Sequence, residues 1–261
     1  MAGMLDLKGQ VALITGAAGG FGSAIALALS GAGARVVVVG RSRDKLEGLA
    51  AELEGPAMVI SGDLSRPAEA ERITQAVVAK LGRLDILVNN AGGATVGGIM
   101  SLSDEQWQAD LDLKLLGYLR MMRAAAKVMQ GQDGGKIINV VGLAGHEPYH
   151  LLTAPSVVNA AILALTKTAA DELAPANIRV NAVNPNAALT GLGDEMIEKL
   201  AAAQGTGSAE VRNYLLGATP LGRLVRAEDV AKVVLFYASE LSSFLTGSSL
   251  DLDGGAHRAI A

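Results

Sequence analysis

Thr15-Gly16-Ala17-Ala18-Gly19-Gly20-Phe21-Gly22 joins the apolar run QVALIT at 10–15 to a helical stretch that ends near Ser30. In such a segment Gly16 suits the tight turn, Gly20 lets main chain approach a pyrophosphate, and Gly22 permits close helix–strand packing. The helix that follows offers unpaired N–H groups and partial positive charge at its N-terminus, which favours a phosphate. The context of strand, glycine turn and helix makes the reading specific: a dinucleotide-binding unit.

Working outward, apolar runs and helical stretches alternate along the whole chain. Strands are expected at 34–40, 57–61, 85–92, 136–142, 178–185 and 248–252, with helices at 42–54, 67–81, 104–130, 155–174 and 227–239. Residues 192–216 read as a helical excursion interrupted by Gly205 and Gly207. Continuous rather than alternating apolar strands, separated by helices, predict a parallel sheet buried on both faces. The fold class is therefore α/β, a three-layer Rossmann fold with a doubly wound parallel sheet and helices on both faces. No linker or composition shift divides residues 1–261, so one domain is expected, with a helical lid inserted at about 191–216.

Composition narrows the chemistry. Half of the 261 residues are hydrophobic but only 3% are aromatic, so Ala, Val, Leu and Ile must build the core. Net charge is −4 with both signs interspersed, unlike the basic stripe of a nucleic-acid binder. No apolar run is long enough to span a membrane without Gly or charge. The absence of cysteine excludes disulfides, a thiolate nucleophile and thiolate metal ligation. The histidines at 146, 150 and 257 lack a zinc-enzyme spacing, so no metal is expected. The N-terminus lacks a basic region followed by an apolar stretch, and a cytoplasmic protein is expected.

TGxxxGxG at 15–22, Asp63-Leu64, Asn89-Asn90-Ala91-Gly92 and the stretch from Leu221 to Gly255 together resemble the short-chain dehydrogenase/reductase family, over about residues 6 to 255. The resemblance implies that Gly16, Ala18, Gly19, Gly20, Phe21, Gly22, Asn90, Ala91, Gly92, Pro185 and Thr190 border the cofactor. Asp63 would meet the adenine amino group, the backbone of Leu64 would lie beside the ring, and Asn89 would hold neighbouring strands. The second strand ends Val39-Gly40-Arg41-Ser42-Arg43 with no carboxylate for the ribose hydroxyls. Positive charge there suits an extra phosphate. Arg41 therefore favours NADP, with NAD as the alternative, and Arg43 reads as a solvated helix-start residue.

The resemblance also implies a Ser, Tyr, Lys and Asn for hydride-transfer chemistry. Aligning on Leu165-Thr166-Lys167, Gly142 stands at the Ser position, Pro155 at the Tyr position and Asn159 at the Lys position; Lys114, seven residues after Trp107, stands at the Asn position. A phenol titrates near 10 and needs a nearby cation to work at neutral pH. Lys114 and Asn159 look exchanged, which would still leave a cation and an amide on the pocket floor. Tyr149, His146 and His150 are the alternative acid–base candidates, in a loop. Asn186 departs from the family's Gly and would avoid crowding by adopting the left-handed conformation. Met196, Leu200, Tyr214 and Leu215 are candidates for the lid lining, and Leu115, Leu119, Ile162 and Leu165 for the contacts of a homotetramer or, alternatively, a dimer.

Three functions are compatible with these residues. The first is an oxidoreductase moving hydride between NADP(H) and a small or medium carbonyl or alcohol, with a non-standard proton donor. The second is a silent dinucleotide-binding or scaffold protein. The third is a cofactor-assisted lyase, dehydratase or isomerase.

Overall fold

The computed structural model describes residues 5–258. Its elements are β1 (Val11–Thr15), α1 (Gly20–Gly31), β2 (Arg35–Gly40), α2 (Arg43–Glu52), β3 (Met58–Ser61), α3 (Glu69–Leu81), β4 (Ile86–Asn89), α4 (Asp104–Asp110), a π-helical segment (Leu111–Leu116), α5 (Gly117–Gln130), β5 (Gly135–Val140), α6 (Thr153–Leu173), β6 (Ile178–Pro185), α7 (Gly191–Gln204), α8 (Ser208–Gly217), α9 (Ala227–Ala238) and β7 (Ser249–Leu252).

The seven strands form one sheet in the order β3-β2-β1-β4-β5-β6-β7. All six pairings are parallel. Period-two geometry divides each apolar strand between two cores. Val36 and Val38 pack with Ile25 of α1, Leu46 of α2 and Val234 of α9 on one face. Val37 and Val39 pack with Ile73 of α3, Met121 of α5 and Leu173 of α6 on the other. The expected parallel α/β architecture with helices on both faces is thus the observed one.

Strand order reverses between β1 and β4, which opens a crevice at their C-terminal ends. The crevice is pinned by Thr15, whose buried hydroxyl accepts from the N–H groups of Asn90 (2.9 Å) and Ala91 (3.2 Å). Gly22 brings α1 against the turn: a Cβ there would stand 2.7 Å from Ala17 Cα.

Three expectations are corrected. The helix expected over 104–130 spans those residues but is not regular throughout: it widens into the π segment around Lys114, as happens where an extra residue must be accommodated, often at functional sites. β5 ends at Val140, two residues early, because Gly142 takes φ +129 and leaves the ladder. Ile162 is fully buried with Tyr118, Val158 and Ala182, so it cannot supply an intersubunit contact. The excursion at 191–216 is two helices, α7 and α8, parted at Gly205 in the left-handed conformation, with their own small core. Among the described residues no helix is long and apolar enough to cross a membrane.

Replacing Gly22 with Ala must push α1 off the turn and should cost about 1–3 kcal/mol in urea unfolding. An unchanged midpoint would show that the contact is not tight.

Candidate functional site

The cofactor side is built from main chain. Gly16 adopts φ +61, and a Cβ on it would lie 2.9 Å from Ala91 Cα, so turn and β4 exit approach as only glycine allows. Gly19 caps α1 without any side-chain hydrogen bond, leaving the helix N-terminus open to a ligand. Ala18 and Phe21 rest against the core beside α1. Thr190 lies over Gly20: a Cβ there would meet its Cγ2 at 2.7 Å. Thr190 also caps α7, its hydroxyl accepting from Gly193 N at 3.1 Å.

The Asn90 side chain donates to the carbonyls of Thr15 and Gly16, each at 3.1 Å. Asn89 donates to Asn139 at 3.0 Å, tying β4 to β5 as expected of it. Arg41, Asp63, Leu64, Ala91 and Gly92 share the lining of a small pocket of about 90 Å³ with Gly16. Hydrogen bonds from Ser65, chiefly from its hydroxyl, outweigh burial and hold the Asp63 carboxyl below its ordinary pKa, with help from Arg66 and Arg41. Arg41 is exposed and has no hydrogen-bond or ion-pair partner among the described residues. Arg43, by contrast, opens α2 and pairs with Glu47 at 2.7 Å. These features suit a dinucleotide: donors for its phosphates, a narrow slot beside Leu64, and a free guanidinium at the end of β2.

A second polar cluster gathers around Lys114. Its ammonium donates to Val141 O at 2.6 Å and to Asn159 Oδ1 at 2.8 Å. The proposed exchange partners are therefore in direct contact. Burial pulls the Lys114 pKa down to about 8, against a smaller upward pull from Asp110. Because Oδ1 of Asn159 is engaged by the cation, its Nδ2 points the other way and would lie 2.9 Å from a Cβ built on Gly142. Pro155 sits in the first turn of α6, where a missing N–H costs no helical bond.

Tyr149 lines a larger cleft of about 580 Å³ with Leu200, Tyr214, Leu215 and Asn186; Met196 instead packs in the core of the excursion. The Tyr149 hydroxyl accepts from Gln204 at 2.7 Å. His150 is exposed and packs its ring on Tyr149 at 4.6 Å. His146 turns away from both and bonds Asp251 at 2.9 Å. Asn186 is not left-handed, since Asn177 alone among non-glycine described residues has positive φ. Its N–H instead continues the β6–β7 ladder to Leu252 O at 3.1 Å, which removes the need for that conformation.

Asp110 joins this cluster without belonging to any sequence motif. It accepts from the Thr95 hydroxyl at 2.9 Å, while its Oδ2 is buried without a partner. Burial raises its pKa above the usual carboxylate value, with Thr95, Lys114 and Lys199 opposing. The only signal was an Asp four residues before Lys114. Val141 was missed because its contribution is a main-chain carbonyl, which no side-chain pattern reports.

The Lys114 shift predicts a pH dependence of stability. Between about 8 and the ordinary 10.5 the unfolded chain binds more protons than the folded one, so this residue makes stability rise with pH across that window. Below pH 8 the penalty for enclosing the charge is fully present. Lys114→Met should remove this slope, and wild type should gain on the variant by roughly 1 kcal/mol per pH unit at most. Parallel slopes in urea titrations at pH 8 and 10 would refute the assignment.

Comparisons with known proteins identify the family. A family model described as enoyl-(acyl carrier protein) reductase matches residues 16–257. The chain is 35% identical over 254 residues to the 3-oxoacyl-[acyl-carrier-protein] reductase FabG of Thermotoga maritima, covering 96% of this chain and 99% of that protein. It is 30% identical over 256 residues to the NADPH-dependent reductase BacG of Bacillus subtilis, with coverage of 96% and 99%. Among solved structures, YwfH, an NADPH-dependent reductase involved in bacilysin biosynthesis, superposes with a TM-score of 0.90 at 29% identity, covering 96% of this chain and 99% of that one. NAD+-bound xylitol dehydrogenase superposes with a TM-score of 0.92 at 30% identity, covering 95% and 99%. A glycine turn at the strand-order reversal, a matched family model and full-length relatives lead to one conclusion: this chain belongs to the short-chain dehydrogenase/reductase family of oxidoreductases.

Proposed function

We propose that the chain reduces a small or medium carbonyl compound with NADPH, or oxidises the corresponding alcohol, and that Lys114 and Asn159 handle the substrate oxygen. Gly142, Pro155, Asn159 and Lys114 then stand where the family's Ser, Tyr, Lys and Asn are expected. The observation that carries this reading is the direct Lys114–Asn159 hydrogen bond of 2.8 Å. Bound NADPH would supply the hydride to the carbonyl carbon. The chain's own task is to hold the carbonyl oxygen and deliver a proton to it.

An ammonium has three N–H donors, and Lys114 commits two of them, to Val141 O and Asn159 Oδ1. The third is available to a bound oxygen or to a water in contact with it. With a pKa of about 8, the group is mostly protonated at neutral pH yet gives up its proton far more readily than an exposed lysine. The same contact orients the Asn159 amide so that Nδ2 faces the space over Gly142, where it can donate to the substrate oxygen in place of a hydroxyl. The apolar walls formed by Leu200 and Leu215 suit a substrate of modest polarity.

NADP rather than NAD is supported by Arg41, which has no partner among the described residues, and by the absence of a carboxylate at the end of β2. The relatives BacG and YwfH are themselves described as NADPH-dependent. Family resemblance further supports a homotetramer, with Leu115, Leu119 and Leu165 rather than Ile162 as contact candidates.

NADPH fluorescence titration followed by cofactor oxidation with a carbonyl and quinone panel tests the proposal. Saturable binding with oxidation is expected, and Lys114→Met should lower turnover by roughly two powers of ten. Binding without turnover would make the chain a silent binder; turnover without net oxidation of NADPH would make it a lyase or isomerase. Arg41→Ala should weaken NADPH by roughly ten- to a hundred-fold and NADH little, since one charge-assisted contact is lost; equal losses contradict the phosphate assignment. Gly142→Ser should lower stability by about 1–3 kcal/mol, given the φ of +129, and should not raise turnover. A gain in turnover would show that the missing hydroxyl, not the Lys114–Asn159 pair, limits the reaction.

A further inference from the structure

Three side chains that hydride transfer does not use meet at the edge of the larger cleft. His146 comes from the turn after β5, Asp251 from β7 and His257 from the segment after it. The imidazole Nδ1 of His146 lies 2.9 Å from Asp251 Oδ1, and Nδ1 of His257 lies 2.9 Å from Asp251 Oδ2. Among the described residues these are the one group of three whose potential ligand atoms all lie within 4.8 Å of one another.

We propose that His146 Nδ1, His257 Nδ1 and the Asp251 carboxylate form a binding site for a divalent transition-metal ion of the zinc class. Two imidazoles and one carboxylate suit Zn²⁺, Co²⁺ or Ni²⁺; Mg²⁺ and Ca²⁺ take all-oxygen sets. A tetrahedral site with bonds near 2.0–2.1 Å places its ligand atoms about 3.4 Å apart, so small side-chain rotations bring these three into range.

The surroundings match what metal ligands need behind them. Ligating carboxylates are themselves hydrogen-bonded, and the amide of buried Asn184 donates to Asp251 Oδ1 at 2.7 Å. Ligating histidines turn their second nitrogen to an acceptor, and His257 Nε2 faces Glu147 Oε1 at 3.5 Å. Asn184 is held in turn by Ser249 at 2.6 Å, so the carboxylate is anchored to the β6–β7 ladder and not to a loose surface.

Three protein ligands leave a fourth position for water or another oxygen donor. Glu147 and Ala256, the neighbours of two of the ligands, both line the larger cleft. A bound ion would therefore tie the segment after β7 to the turn after β5 at the rim of the substrate space. Chain separation hid this: positions 146, 251 and 257 meet only through the sheet register that sets Asn184 opposite Asp251.

The test is titration of the full-length, nucleotide-free protein with ZnCl₂ by calorimetry, and with CoCl₂ by visible absorption. One Zn²⁺ per chain is expected, with a rise in Tm and the intense d–d bands of four-coordinate Co²⁺. His146→Gln, Asp251→Asn and His257→Gln should each weaken binding at least ten-fold, and Glu147→Gln by a smaller factor, whereas His150→Gln should leave it unchanged. Melting in EDTA identifies any variant that fails to fold; His146→Gln, at an exposed position, then decides alone. Absence of saturable binding below millimolar Zn²⁺, or binding indifferent to His146→Gln, overturns the proposal and leaves the cluster a hydrogen-bonded His–Asp–His group. No step of the measurement involves NADPH, so its failure is separate from failure of the reductase reading.

Discussion

The Thr15 hydroxyl, buried where the strand order reverses, is the contact on which the cleft depends. It accepts from the main-chain N–H groups of Asn90 and Ala91 and donates to Val88 O at 3.3 Å. Two parallel strands whose helices leave in opposite directions must diverge there, and each exposes main-chain groups at its end. Unpaired in a buried position, such groups cost about 1–3 kcal/mol each. Thr15 and the Asn90 amide satisfy them locally, so the crevice can stay open without collapsing or filling with side chains. The Gly16 turn, the uncapped start of α1 and Thr190 then share one floor.

A second polar assembly governs the other end of the cleft. Lys114 projects from the π segment. Its ammonium has two oxygen partners, Val141 O and Asn159 Oδ1. The three elements involved are the π segment, the exit of β5 and the first turns of α6. Gly142 belongs to the same arrangement, because its φ and the nearby Asn159 amide leave no comfortable place for a Cβ. A side chain introduced at Gly142 would meet the Asn159 amide, whose Nδ2 lies 2.9 Å from a Cβ built there.

The strands and most helices were legible because their signals are local. Buried parallel strands such as Arg35–Gly40 read as continuous apolar runs, and Thr153–Leu173 was anticipated to within two residues at its start. The glycine turn was legible because its geometry requires residues lacking a Cβ. The π segment within the helix over 104–130 was not, since such a segment carries no composition of its own. At the end of β2, Arg41 lines the pocket and Arg43 begins a helix, an arrangement that follows from the order of residues there.

Sequence alone determined the α/β class, the dinucleotide turn, the family resemblance and the identities of Gly142, Pro155, Asn159 and Lys114, all of them set by local patterns or by position along the chain. Tertiary structure decided what those residues do to one another. Whether Lys114 reaches Asn159, whether Thr95 reaches Asp110, and whether His146 and His257 converge on Asp251 depend on through-space distances between segments 45, 15 and up to 105 residues apart. Side-chain electrostatics and hydrogen bonding act over a few ångströms, and only the folded sheet and its helices bring such distant positions within that range.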